Sequence, residues 1–220
     1  MKIGFCAIWK NKLSEYHAKK EEEIETTLKI SQCFIKAKKL GIKIYGLHNI
    51  RWSSDDQYFT FWECPSLDLL EEIISDLDKA GDFKFAKSNH FIGTDFFNFQ
   101  SNKKLISNEE FDFGLMLFIK FKKKYEELDV NLLFEKFDKI FLKNNLISDK
   151  CYKSKPFGSW DYFFYIASRK YEDIEFFQEK IESMKYDFGL RIKLYLGVKE
   201  SNFRFGRNYQ LNYEWAKKNE

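Results

Sequence analysis

Histidine is scarce in this 220-residue chain. There are three, His17, His48 and His90, and none follows position 90. A centre built from several imidazoles in the second half is thereby excluded. Cysteine is scarce too. Cys6, Cys33, Cys64 and Cys151 form no Cys-x-x-Cys pair and show no zinc-ligand spacing. Cys6, Cys33 and Cys64 lie in or beside apolar runs and read as reduced, buried thiols. The local sequence places no base beside any of the four to activate it as a nucleophile. No apolar run reaches the length of a membrane span, and the short one in "MKIGFCAIWKNK" has no signal-peptide cleavage pattern. The expectation is a soluble, cytoplasmic protein without a membrane partner. Neither sign of charge dominates: 37 basic and 34 acidic residues leave a net charge of +3. That balance is no polyanion-binding signature and argues against a nucleic-acid partner. A Walker-type phosphate loop, a Gly-x-Gly-x-x-Gly turn and a Gly-x-Ser-x-Gly elbow are also missing.

What the chain has is aromatic side chains. They make up 19% of it, and phenylalanine alone accounts for 25 residues. Lys, Asn, Ile and Phe are all abundant, as an AT-rich coding bias produces, so part of this excess carries no functional meaning. Hydrophobic residues at 44% and charged residues at 32% describe a globular chain with enough length for a real core.

The chain also repeats itself. In the first half, "IGFCAIW" (3–9) reads as a strand, and "EEEIETTLKISQCFIKAKKLG" as a helix with apolar residues at helical spacing, stopped by Gly41. Two strands follow, "IKIYGLHNIRW" (42–52) and "QYFTFWE" (57–63), joined by the turn "SSDD". Pro65 and Ser66 open a second helix that Gly81 closes, and a last strand lies around "HFIGT" (90–94). The second half has the same order: strand 113–121, helix 130–146, a short strand "SDKCYKS", strand 160–168, helix 171–185 and strand 191–199. "GFCAIW" stands opposite "GLMLFI", "YFTFWE" opposite "DYFFYI", and "FIGT" opposite "YLGV". The domains expected are residues 1–99 and 111–199, separated by a polar linker at 100–110 and followed by a C-terminal extension at 200–220.

Strand-helix-strand-strand-helix-strand is a ferredoxin-like unit, with helices on one face of an antiparallel sheet. The other face needs cover or a partner. The order and its tandem repetition resemble the dimeric α/β-barrel superfamily. That superfamily includes antibiotic-biosynthesis-type monooxygenases, muconolactone-isomerase-like proteins and chlorite-dismutase-like haem proteins. The resemblance covers residues 1–199 as a pattern and rests on no diagnostic motif. It implies an α+β fold in which two ferredoxin-like (βαββαβ) repeats form an intrachain dimeric α/β-barrel, with a pocket between the two sheets. In the haem proteins of this group the haem and its axial histidine belong to the second half, where this chain has no histidine. No haem, other cofactor or metal is therefore expected. A tandem RNA-recognition-motif protein shares the strand order. Its third strand needs a basic residue and a glycine, and neither "QYFTFWEC" nor "WDYFFYIAS" has them.

The function expected is that of a small-molecule-binding protein or small enzyme with an aromatic-lined pocket between the sheets. Cofactor-independent members of the superfamily imply a monooxygenase or isomerase type, acting on a small apolar or aromatic molecule. His90 and Tyr58 are the candidate acid/base residues; Trp9, Trp62, His48 and Arg51 are the candidate ligand contacts. His90 and His48 belong on opposite edges of the sheet, which separates them. A single strand histidine also serves as an ordinary hydrogen-bonded residue, and an aromatic stripe as plain core. The competing reading is a non-catalytic interaction module that forms homo-oligomers through sheet edges or through "NFRFGRNYQ", where Arg204 and Arg207 alternate with aromatic residues.

Overall fold

The computed structural model describes residues 1–12, 20–101, 111–122, 127–154 and 158–199. His17, linker residues 102–110 and the whole 200–220 segment lie outside the described residues. The described chain divides into two compact units, 1–90 and 91–199.

In the first unit the elements are β1 (Ile3–Asn11), α1 (Lys20–Lys39), β2 (Lys43–Asn49), β3 (Tyr58–Cys64), α2 (Leu67–Ala80), the one-turn α3 (Asp82–Phe85) and the opening stretch of β4 (Ala86–Asn98). β3 pairs antiparallel with both β1 and β2. The Lys12 amide donates to the Phe85 carbonyl (2.7 Å), which starts β4 beside the end of β1. α2 begins and ends where its sequence says. The Ser66 hydroxyl accepts from the Leu69 amide, and Gly81 ends the helix at φ +95°, a left-handed conformation that costs glycine little. Between these caps Leu70, Ile73, Leu77 and Ala80 recur at helical spacing and are buried. The Lys36 ammonium ties α1 to α2 by pairing with Glu72 (2.5 Å) and Asp76 (2.7 Å).

β2 departs from simple alternation. Ile44 stands opposite Trp62 and Leu47 opposite Thr60, so three steps along β2 match two along β3. This is a β-bulge, and Gly46 within it adopts φ +113°. The sequence pattern assigns His48 to the side of Ile44. The bulge moves it to the other side, with Tyr45, and its ring stacks on Phe59 (4.6 Å, 9° between planes). Arg51 and Trp52, read from sequence as strand, fall in the turn after β2.

The second unit contains β5 (Phe113–Phe121), α4 (Glu127–Lys143), β6 (Lys150–Ser154), β7 (Tyr162–Ser168), α5 (Tyr171–Asp187) and β8 (Leu190–Lys199). Its strand order is β8-β5-β7-β6, the ferredoxin-like arrangement, with residues 93–98 of β4 paired to β6. The division between the units therefore falls inside β4. Gly93 permits that pairing: an added Cβ would stand 2.7 Å from the Lys153 carbonyl oxygen and 2.8 Å from the Phe163 ring. The core under the helices is built on phenylalanine. Phe134, Phe137 and Phe141 of α4 meet Phe164 of β7 and Phe177 of α5, none more than 1% exposed. Each such side chain contributes roughly 1.5–3 kcal/mol by leaving water. Asp161, an acid beside the third strand of this repeat, is structural, since its carboxylate accepts from the Phe121 amide (2.8 Å).

Candidate functional site

The register of β1 on β3 sets Phe5 opposite Trp62, Ala7 opposite Thr60 and Trp9 opposite Tyr58. With side chains alternating, these six share one face, and Cys6, Ile8, Phe59 and Phe61 take the other. The first set is the one beneath the helices. Trp62 lies 5.9 Å from the ring of Phe34 on α1 and 5.2 Å from Phe5.

A crevice of about 40 Å³ opens on this helix-covered face. Its floor is Phe5, Ala7, Trp9, Thr60 and Trp62 of the sheet; Phe34, Ile74 and Leu77 close it from α1 and α2. Asp82 and Phe83 of α3, then Ala86, Ser88 and His90 of β4, form its rim. Since about 10–15 Å³ admits one water, the space takes a molecule of a few heavy atoms. The Trp62 indole N–H donates to the Thr60 hydroxyl (2.9 Å), which donates to the Gly46 carbonyl (2.8 Å). The bulge in β2 thus supplies the acceptor that holds Trp62 in the floor.

Three of the expected site residues, Trp9, Trp62 and His90, meet at this crevice. They do so under the helices of the first unit, not on the helix-free face where a pocket between sheets was expected. Alternation shows which residues share a face. Both sets of β3 are aromatic, so it could not show which set the helices cover. Tyr58 is buried beside Trp9 (5.8 Å) but does not line the crevice. Its hydroxyl accepts from the Arg51 guanidinium, which also lies 4.9 Å from the Tyr58 ring. His48, fully buried on the opposite face, is separated from the other candidates by the sheet.

Asp82 is the residue that sequence reading missed. It follows the helix-ending Gly81 and looks like an ordinary acid in a first helical turn. The tertiary structure turns it among apolar side chains instead, and this desolvation pushes its carboxyl up to about 6. Among the described residues no cation pairs with it. The Lys12 ammonium is held by the Phe83 carbonyl (2.6 Å), and Lys84 pairs with Glu22. His90 is pulled below its usual range by desolvation between the rings of Phe5 (5.3 Å) and Phe83 (5.6 Å), although its outer edge is exposed. Near neutrality the crevice therefore holds a neutral imidazole and a carboxylate, with no Lys or Arg among its described lining residues.

No family model and no curated protein sequence matches the chain. Solved structures do. A point variant of chlorite dismutase from Candidatus Nitrospira defluvii is 12% identical and has a TM-score of 0.73, covering 98% of this chain and 94% of that one. The same enzyme in complex with imidazole gives 12% identity and a TM-score of 0.70 over 98% and 94% of the two chains. A haem-binding protein from Thermus thermophilus is 8% identical, with a TM-score of 0.65 over 90% of each chain. These likenesses show the fold: α+β, two ferredoxin-like repeats in one chain, of the dimeric α/β-barrel kind.

Proposed function

We propose that this chain is a small-molecule-binding protein whose ligand occupies the crevice beneath the helices of the first unit. The observation that supports it is the meeting of aromatic walls with a few polar groups, Asp82 and His90 together with the hydroxyls of Thr60 and Ser88, on a mostly apolar surface. A site filled only for stability would gain nothing from a carboxylate held at about 6. Trp9 and Trp62 are the ligand walls in this reading. His90, neutral near pH 7, is the group able to take a proton from a bound molecule, as an isomerase or oxygenase acting without a cofactor requires. Tyr58 supports Trp9 and anchors Arg51, and His48 belongs to the packing of the opposite face.

Haem does not fit this chain in the way the structural neighbours invite. Residues 91–199 contain no histidine. The layer between sheet and helices in the second unit is occupied by buried phenylalanine rings. The crevice described in the first unit, at about 40 Å³, is far smaller than a haem.

The test is a fragment screen by saturation-transfer NMR on the wild-type protein and on Ser88→Phe, which fills the crevice from β4. Fragments that bind wild type and lose their signal with Ser88→Phe, at an unchanged melting profile, bear the proposal out. Hits that persist in the filled variant, or no hits at all, overturn it.

A further inference from the structure

We infer that the crevice of the first unit is an aromatic cage for a small organic cation of the alkylammonium class, with Asp82 as its counter-ion. The inference rests on the crevice being a ligand site, as proposed above, and names the chemistry that would enter it.

Four ring contacts run in sequence around the space. Phe34 meets Trp62 (5.9 Å), Trp62 meets Phe5 (5.2 Å), Phe5 meets His90 (5.3 Å) and His90 meets Phe83 (5.6 Å). The rings come from α1, β3, β1, β4 and α3, so five elements converge to build one aromatic wall. The faces of such rings carry negative quadrupole density, and a cation within about 6 Å of a ring centroid is attracted by it. Trp62 has its N–H already donated to Thr60, so it meets an occupant as an aromatic surface rather than as a donor.

The charge at the site agrees. Among the described lining residues Asp82 is the one that carries charge near neutrality, and the nearby ammonium groups of Lys12 and Lys84 are engaged elsewhere. An anion would meet a carboxylate and ring faces, both repulsive to it. A neutral molecule would cover the half-buried Asp82 carboxylate without supplying an opposite charge. A compact cation satisfies the carboxylate and the rings together. The volume, about 40 Å³, restricts it to a headgroup of the methylammonium to trimethylammonium size.

The probes are trimethylammonium, the neutral tert-butanol and the anion acetate, titrated into the full chain and followed by ligand-observed NMR. Trimethylammonium is expected to bind about tenfold tighter than tert-butanol, and acetate weakest. Asp82→Asn keeps the shape and removes the charge. It should bring trimethylammonium down to the tert-butanol level while tert-butanol binding stays unchanged, and Asp82→Ser serves as a second variant should Asn perturb the helix. Equal binding of cation and neutral probe, or an Asp82→Asn variant that still prefers the cation, overturns the ligand class and leaves the crevice a binding site. Absence of binding by all three probes together with an empty fragment screen overturns both.

Discussion

At the scale of single residues, Asp82 decides the most. Its carboxyl lies among apolar side chains and its proton is held to about pH 6, against an ordinary value of 3.8. A raised carboxyl value means that the folded chain keeps a proton that the unfolded chain has already released. The contribution of this group to stability is therefore fully present below the unfolded value. It falls as pH rises between roughly 4 and 6, and is lost above that window. At 1.36 kcal/mol per pH unit, and because Asp82 is half-buried and keeps some contact with water, the cost at neutral pH is at most about 3 kcal/mol. Asp82→Asn is expected to raise stability by about 2 kcal/mol at pH 8 and by little at pH 4, checked by urea unfolding at both pH values. Equal gains at both would show that the carboxylate is not desolvated.

At the scale of elements, the bulge in β2 matters most. Gly46 at φ +113° lets three residues of β2 span two of β3, and its carbonyl receives the Thr60 hydroxyl. Gly46→Ala places a Cβ in a conformation that side chains other than glycine adopt at a cost of about 1–3 kcal/mol. The expected result is a loss of that size in denaturant unfolding, with a change in the Trp62 environment visible by fluorescence or indole N–H chemical shift. The start and stop of α2 at Ser66 and Gly81 were legible in the sequence, because Ser-initiated and Gly-terminated helices obey local chemistry. The bulge was not legible. A single glycine inside "IYGLHN" is compatible with regular alternation, and only pairing with β3 shows the extra residue. His48 was consequently assigned to the wrong side of its strand, and Arg51 and Trp52 to a strand that had already ended.

At the scale of the whole molecule, the two repeats are alike in order and different in content. The second packs phenylalanine between sheet and helices and has no histidine; the first leaves a crevice there and sets a histidine on its rim. Titration with haemin is therefore expected to give no stoichiometric Soret shift and no change in the melting profile. A sharp one-to-one endpoint would contradict the packing described for the second unit. The strand-helix order, its repetition and the resulting α+β class were determined by the sequence itself, since hydrophobic period, caps and breakers act over a few neighbouring residues. So was the sharing of faces along β3, where Tyr58, Thr60 and Trp62 alternate with Phe59 and Phe61. Which of those faces lies under the helices, and that Asp82 lines one crevice with Phe5, Trp62 and His90, was decided only by tertiary structure. Both sets of β3 side chains are aromatic enough to be buried, and the desolvation of an acid depends on neighbours that are distant in the chain and adjacent in space.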